Sequence, residues 1–523
     1  MHNCLLITEI LQAIFSSLEP TTSRMTSNFG GDHQDLGETR RSLSFLARTC
    51  RAFYEPAMDV LYAELGTLDP LVRGLPTDLW DMDATTRFLT FKRRFTNEDF
   101  LKLRRNAQRV RILGSVSNLG QKLVWNIDYE AMFAISGFCV GSRSLTLCSG
   151  LRELTWDESR LGFSPFLEIF LAPSLTSLRL RGHWPRSFGD FLLHAKCPSL
   201  KIFDGSGMVI STTFSTAICH WQQLEHLHTR VLTNQAMHHL ASLPSLRHLA
   251  IDLDPHIFQY STVRFPATLE SFRLHSVAIP VSAMFLEHLQ LSPRQVEIIS
   301  DLQAPAITMQ NLFTALVSHL APEYLQTLAF SSYQRKVTGH APPYIFSFQT
   351  IAPLLSFSRL QHLELDTFCT SYIDDDALGH MASSWPRLEI LRLGVTYIYD
   401  AAGAMLPKAT PRGLGLVLQR CPNLHDLGLA FDATLVEDSS SMHLGNICNR
   451  RIARLHVGNS PLNDPRAVAA FLSSVMPSLL HVVHNQPPPW PSDEFVSRRR
   501  LWREVSRLLK LSNSEECAEK TCK

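Results

Sequence analysis

The sequence predicts an α/β repeat protein: a short helical module at the start, then a right-handed solenoid of strand, turn and helix units, with parallel strands on the concave face and helices on the convex face. Three observations predict it. An apolar-x-x-apolar-x-apolar motif recurs at nearly constant spacing, a Pro stands two residues before many copies, and the first 65 residues carry helical rather than strand periodicity.

In the opening stretch, Leu6, Ile10, Leu11, Ile14, Phe15 and Leu18 fall at helical spacing. Residues 19–41 are rich in Thr, Ser, Gly and Asp and read as an inserted polar loop. The segment SLSFLARTCRAFYEPAMDVLYAEL from Ser42 to Leu65 then places Leu43, Leu46, Ala47, Cys50 and Phe53 on one helical stripe. Pro56 is expected to end that helix near Tyr54, leaving Ala57, Val60, Leu61 and Leu65 to a second short segment. A module of about 40 ordered residues is marginal alone and relies on a neighbour or an external partner.

These residues resemble an F-box. The family pattern opens with Leu-Pro-x-Glu-Ile-Leu-x-x-Ile-Phe, matched here by Leu6, Glu9, Ile10, Leu11, Ile14 and Phe15. It continues through a helix ending in Cys-basic-x-aromatic, matched by Leu43, Leu46, Cys50, Arg51 and Phe53, and closes near a Leu-Trp pair, where Leu61 and Tyr62 stand. Ile7 replaces the usual Pro, Tyr62 the usual Trp, and 19–41 is an insertion. The resemblance implies an adaptor-binding module over 1–65, with Leu6, Glu9, Ile10, Ile14, Phe15, Leu43, Leu46, Cys50 and Phe53 at or near the adaptor.

Residues 66–145 read as a linker with irregular first repeats. From 146 to 485 the motif recurs as LRELTW, LTSLRL, LKIFDG, LEHLHT, LRHLAI and LESFRL, beginning at Leu151, Leu175, Leu200, Leu224, Leu246 and Leu269. Those starts lie within the 20 to 29 residue period of leucine-rich repeats. It resumes at Leu325, Leu360, Leu388, Leu424, Ile452 and, weakly, Leu479. Pro173, Pro198, Pro244, Pro386, Pro422 and Pro477 each precede a copy, stopping a helix and handing an extended chain to the strand. Thr233-Asn234, Asp374 to Asp376 and Asn463-Asp464-Pro465 are helix start signals. One unit cannot bury its own leucines, but stacked neighbours can, which gives a horseshoe. The body resembles the leucine-rich repeats found behind F-boxes in fungal proteins, although the Asn usual after each strand is mostly absent. The wide gaps after Leu325 and Leu388 read as loops, SYQRKVTGHAPPY and IYDAAGAMLPKATPRG. Residues 486–523 form a tail whose Val496, Leu501, Val505, Leu508 and Leu509 suggest an amphipathic helix capping the solenoid; a nuclear-import patch or partner helix is the alternative.

The 49 basic and 48 acidic residues nearly cancel, so charge gives no reason to expect nucleic-acid or anionic-membrane binding. Eleven Cys without CxxC spacing, mostly inside apolar patterns, favour buried thiols in the cytoplasm or nucleus over a disulfide framework or a metal centre. The N-terminus lacks the basic region of a secretory signal, and Glu9 interrupts its apolar run. No Walker loop, dinucleotide fingerprint, HExxH or GxSxG occurs; DGSGMV from Asp204 reads as a turn, and Asp374 to Asp376 as a cap.

The resemblance therefore implies a substrate receptor of an SCF-type cullin-RING ubiquitin ligase. It would hold a Skp-family adaptor, and through it a cullin, at the helical module and an unknown protein cargo on the repeats, with no catalytic residues, metal or cofactor of its own. A repeat scaffold outside ubiquitination is the alternative. Strand alternation puts the residues flanking the middle apolar position on the concave face. That selects Arg179, His226, His228, His248, Ser271 and Arg273, with His226 and His248 expected to be neighbours. Such a His/Arg patch suits an acidic or phosphorylated cargo segment, solvated strand residues being the plainer alternative.

Overall fold

The computed structural model describes residues 8–18, 33–86, 88–114, 127–141, 146–158, 162–182, 184, 195–206, 212–230, 232–253, 261–334, 342–396, 406–436, 447–485 and 493–521. The chain forms two compact units, Met1–Ala236 and Met237–Lys523.

The first unit opens with three helices: α1, Thr8–Leu18; α2, His33–Thr49; and α3, Arg51–Ala63. Leu11 and Phe15 of α1, Leu43 and Ala47 of α2, and Ala57 and Val60 of α3 make a closed core, with Leu46, Phe53, Met58 and Leu61 packed against it. Phe15 and Phe53 meet edge to face, 5.6 Å between ring centroids. Two sequence expectations are corrected here. The polar stretch is helical from His33 onward, because Gln, Glu and Arg favour a helix and polarity alone does not stop one. The break between helices falls at Cys50, whose backbone is extended (φ −155°, ψ 162°), while Pro56 lies inside α3. Proline forfeits one helical hydrogen bond there, and burial of Pro56, Ala57 and Val60 offsets the loss.

Behind the helices, parallel strands follow one another in chain order: Glu64–Leu65, Ile112–Leu113, Glu153–Glu158, Ser177–Gly182, Ile202–Asp204 and His226–Arg230. The first two are two residues long, which is why no motif announced them. Gly114, at φ +78°, follows the second; a Cβ there would stand 2.2 Å from the Thr155 carbonyl oxygen, so only glycine fits.

The second unit repeats the arrangement with His248–Asp252, Ser271–Ser276, Gln295–Ser300, Thr327–Ser332, His362–Leu365, Ile390–Leu393, Asp426–Leu429, Arg454–Gly458 and His481–His484, again parallel and in chain order. The middle apolar positions align across it from Leu249 through Phe272, Val296, Leu328, Leu363, Leu391, Leu427 and Leu455 to Val482, all buried. Gln295–Ser300 fills the gap between the copies at Leu269 and Leu325; its first motif position is Pro293, so the apolar pattern passes over it. The two wider gaps hold the helices Phe348–Ile351 and Pro411–Arg420, so the second expected loop ends at Thr410, and residues 335–341 and 397–405 lie outside the described residues.

The recurrent Pro has a specific place. Leu175, Leu388, Leu424 and Leu479 donate their N–H to the carbonyl three residues back, on Ala172, Trp385, Cys421 and Met476, so the Pro between them is the second residue of a β-turn, where its fixed φ is an advantage. Helix starts are equally local. Asp374 accepts from the Ala377 N–H at 2.9 Å and Asp464 from the Arg466 N–H at 2.8 Å. The last helix, Asp493–Thr521, packs on Pro465–Val475 and on the final strand through Phe495, Trp502, Val505 and Leu509, with Trp502 Nε1 donating to the Ser460 carbonyl at 2.8 Å. Val496, expected on the buried stripe, is exposed, because the chain enters this helix with Phe495 turned inward instead.

Because each repeat shares its core with two neighbours, cutting a central leucine harms more than its own unit. Leu363→Ala is expected to destabilise the second unit by roughly 2–5 kcal/mol, lowering its urea midpoint, whereas His481→Ala on the last strand should leave that midpoint nearly unchanged.

Candidate functional site

The helical module divides the expected adaptor residues into two groups. Leu43 and Phe15 are core, and Leu46, Cys50 and Phe53 are half-buried. Ile10 and Ile14, one helical turn apart on α1, are 37% and 41% exposed, and Glu9 is exposed beside them. Phe45 of α2 and Tyr54 of α3 are also exposed. Leu6 lies outside the described residues. The alternation is a helical consequence: with Leu11 and Phe15 turned inward, Ile10 and Ile14 are carried about 100° away.

A charged cluster fixes this module to the segment that follows it. Arg109, only 11% exposed at its side chain, pairs with both Glu55 and Asp59 of α3, and Arg105 pairs with Glu55 at 2.6 Å. Gln12 of α1 donates to Asp59 at 3.0 Å, so one arginine ties α1, α3 and the turn after Asn97–Ala107 together. A cleft of about 560 Å³ runs along this contact. The Arg109 hydrogen bond holds the Glu55 carboxyl below its ordinary range against the opposing effect of burial.

The open face of each sheet carries the residues at alternate strand positions. In the first unit Thr155, Arg179, Asp204 and His228 lie side by side in register. Arg179 is 3.9 Å from Glu153, and His228 Nδ1 is 3.2 Å from Asp204. Burial raises Asp204, but the hydrogen bond and charge of His228 outweigh it, so the carboxyl ends below its ordinary value. His226 stands two residues earlier, level with Ile202.

In the second unit the corresponding row is Ala250, Arg273, Glu297, Ala329, Glu364, Arg392, Gly428 and His456. Arg273 faces Glu297 at 3.5 Å, and His248 is level with Ser271. His275 sits between Asp252 at 3.5 Å and Asp301 at 2.9 Å; the Asp252 hydrogen bond, opposed by burial and helped by Asp301, raises its pKa. Further along, Arg392 makes a two-pronged contact with Asp426, 3.2 and 2.7 Å, and lies 3.9 Å from Asp366.

Three of the bases chosen from the sequence therefore face carboxylates on a neighbouring strand: Arg179, His228 and Arg273. Sequence reasoning missed those acids, together with Glu364, Asp366, Arg392, Asp426 and His456. The same positional rule applied to the copies at Leu360, Leu388, Leu424 and Ile452 selects Glu364, Arg392, Asp426 and His456. His226 and His248 belong to different units and are each placed within their own. Among the described residues no three His, Cys, Asp or Glu side chains converge as metal ligands, and no helix is long and apolar enough to cross a membrane. The buried thiols are held protonated by their apolar surroundings, Cys197 near 12 and Cys139 and Cys421 near 11.

The sequence matches no protein-family model and no curated protein. Among solved structures, a yeast complex of Rad7 and Elc1 aligns with a TM-score of 0.34 and 14% identity, over 76% of this chain and 91% of that one. A likeness at that level carries no argument.

The Arg109 cluster makes the module acid-sensitive. Glu55 has its pKa depressed in the folded state, so its contribution is present above the unfolded value, about 4.3, and is lost as pH falls through the folded value. Glu55→Gln should flatten this part of the pH–stability curve. Arg109→Met, which leaves Glu55 only Arg105 and Asp59 only Gln12, should loosen the module at neutral pH, read as faster proteolysis between residues 8 and 63.

Proposed function

We propose that this chain is the substrate receptor of an SCF-type cullin-RING ubiquitin ligase, a non-catalytic subunit that joins adaptor to cargo. The observation that supports it best is the division of α1. Leu11 and Phe15 close a three-helix core while Ile10 and Ile14 face outward, on a helix whose sequence resembles the first helix of an F-box. Exposed apolar side chains on a small module, held by an ion-pair cluster to a long repeat body, suit a docking surface that is completed by a second protein. The stacked strand and helix units, read as leucine-rich repeats, supply the open face for cargo.

In this reading α1, with the exposed Phe45 and Tyr54 of the same module, meets the Skp-family adaptor, and the adaptor brings the cullin. The repeats hold cargo while other subunits carry out ubiquitin transfer. Cytoplasm and nucleus are the compartments in which such a ligase acts.

Because Phe15 is core, changing it would confuse folding with binding, whereas Ile10 and Ile14 can be altered at the surface. Ile10→Lys with Ile14→Lys is expected to abolish co-purification of the Skp-family adaptor and cullin from a lysate, with the circular dichroism and thermal midpoint of the chain retained. A folded double variant that keeps its adaptor would sink the reading, and wild-type chain that brings down neither adaptor nor cullin would favour a scaffold outside ubiquitination.

A further inference from the structure

The later strands of the second unit carry a charge arrangement that differs from the paired bases of the earlier ones. Glu364, Arg392, Gly428 and His456 stand in register on four adjacent strands, with Asp426 two residues before Gly428 and Asp366 just past the end of its strand. Three carboxyl groups, Glu364, Asp366 and Asp426, lie about the single guanidinium of Arg392. His456 Nε2 lies 3.9 Å from Asp426, but burial, then Arg392, lowers its pKa, and it adds no counter-charge at neutral pH. His362 stands 3.4 Å from Glu364, and the exposed Arg454 is level with Asp426 on the next strand.

Arg392 is committed to Asp426 by its two-pronged contact. Gly428 permits that contact: a Cβ there would press on Arg392 Cγ at 3.2 Å and on Val395 at 3.1 Å. Asp366 is left incompletely served. Its side chain is 8% exposed; the Val395 backbone amide supports it and Oδ2 is 3.9 Å from Arg392, but among the described residues Oδ1 has no hydrogen-bond partner. A buried carboxylate oxygen without a donor is costly, and a donor that also carries positive charge relieves it best.

Resting on the receptor reading, we propose that this part of the open face receives a lysine or arginine side chain from a segment of the cargo protein. The acids are spread over strands that place Glu364 and Asp426 roughly 10 Å apart along the sheet, a spacing suited to an extended segment crossing the strands rather than to a single chelated ion. The sign is opposite to that expected from Arg179, His228 and Arg273, whose side chains are met by Glu153, Asp204 and Glu297.

The proposal carries a pH signature. Burial, then the like charge of Glu364, opposed by Arg392, reinforced by Asp426 and opposed again by the Val395 backbone amide, holds Asp366 at about 7 in the free protein. A bound cation favours its ionised form, so binding below that pH releases a proton, and affinity should fall as pH drops from 8 to 6.

The test uses the full chain on an array of immobilised 15-residue peptides of random sequence, with adaptor binding measured in parallel. Bound peptides should be enriched in Lys and Arg, and the best of them, remade in solution, should bind about tenfold or more weaker to Asp366→Asn and to Glu364→Gln. In Asp366→Asn the pH dependence should vanish as well. Enrichment in Asp and Glu, no selective binding, binding by both variants as tight as by the wild type, or spermidine binding as tightly as the best peptide would each overturn the proposal. If adaptor binding persists through such a failure, this inference falls and the receptor reading stands; loss of adaptor binding in the wild type sinks the receptor reading itself.

Discussion

At the second motif position of most repeats, one backbone carbonyl accepts from two successive amides of the next strand. Lys201 O takes the N–H groups of Glu225 and His226 at 2.8 and 3.0 Å; Arg294 O takes those of Gln326 and Thr327; Gln326 O those of Gln361 and His362; Gln361 O those of Glu389 and Ile390. The contact fixes register, and a slip of one residue would turn every buried leucine to solvent. The rest depends on it. The Pro turn delivers the chain to that carbonyl, the row from Leu249 to Val482 is buried because the strands cannot shift, and the polar rows of the open face line up for the same reason.

Much of the strand order was legible because it rests on local chemistry. Leucine spacing, Pro in the turn and Asp at the helix start act within a few residues, and each is visible in one copy. What escaped was governed by distant partners. Glu64–Leu65 and Ile112–Leu113 are strands only because neighbours pair with them, and Gln295–Ser300 keeps its place despite Pro293 in the first motif position. Pro56 inside α3 is the same lesson in a helix: a local stop signal yields when the residues beyond it are buried against α1 and α2.

The candidate surfaces were legible as positions rather than as chemistry. Alternation along a strand selects Arg179, His228 and Arg273, but the partner of each lies more than twenty residues away in sequence, on a neighbouring strand. Asp366 illustrates the limit most clearly. Nothing in LELDTF distinguishes it from a solvated aspartate until the fold buries it beside Glu364 and leaves one oxygen without a donor. On α1 the helical period places Ile10, Leu11, Ile14 and Phe15 together as an apolar group, and only packing with α2 and α3 separates inward from outward residues.

In the proposed receptor reading the helical module is completed by an adaptor and the sheet face holds cargo, and the central claim of that reading is that α1 is the adaptor-facing element. Hydrogen exchange followed by mass spectrometry, on the full chain with and without a purified Skp-family adaptor, tests this most directly. The account predicts slowed exchange over Thr8–Leu18 and the exposed turns of α2 and α3, with exchange in the strands from His248 to His484 unchanged. Unaltered exchange across α1 in the presence of saturating adaptor, or protection confined to the second unit, would contradict it.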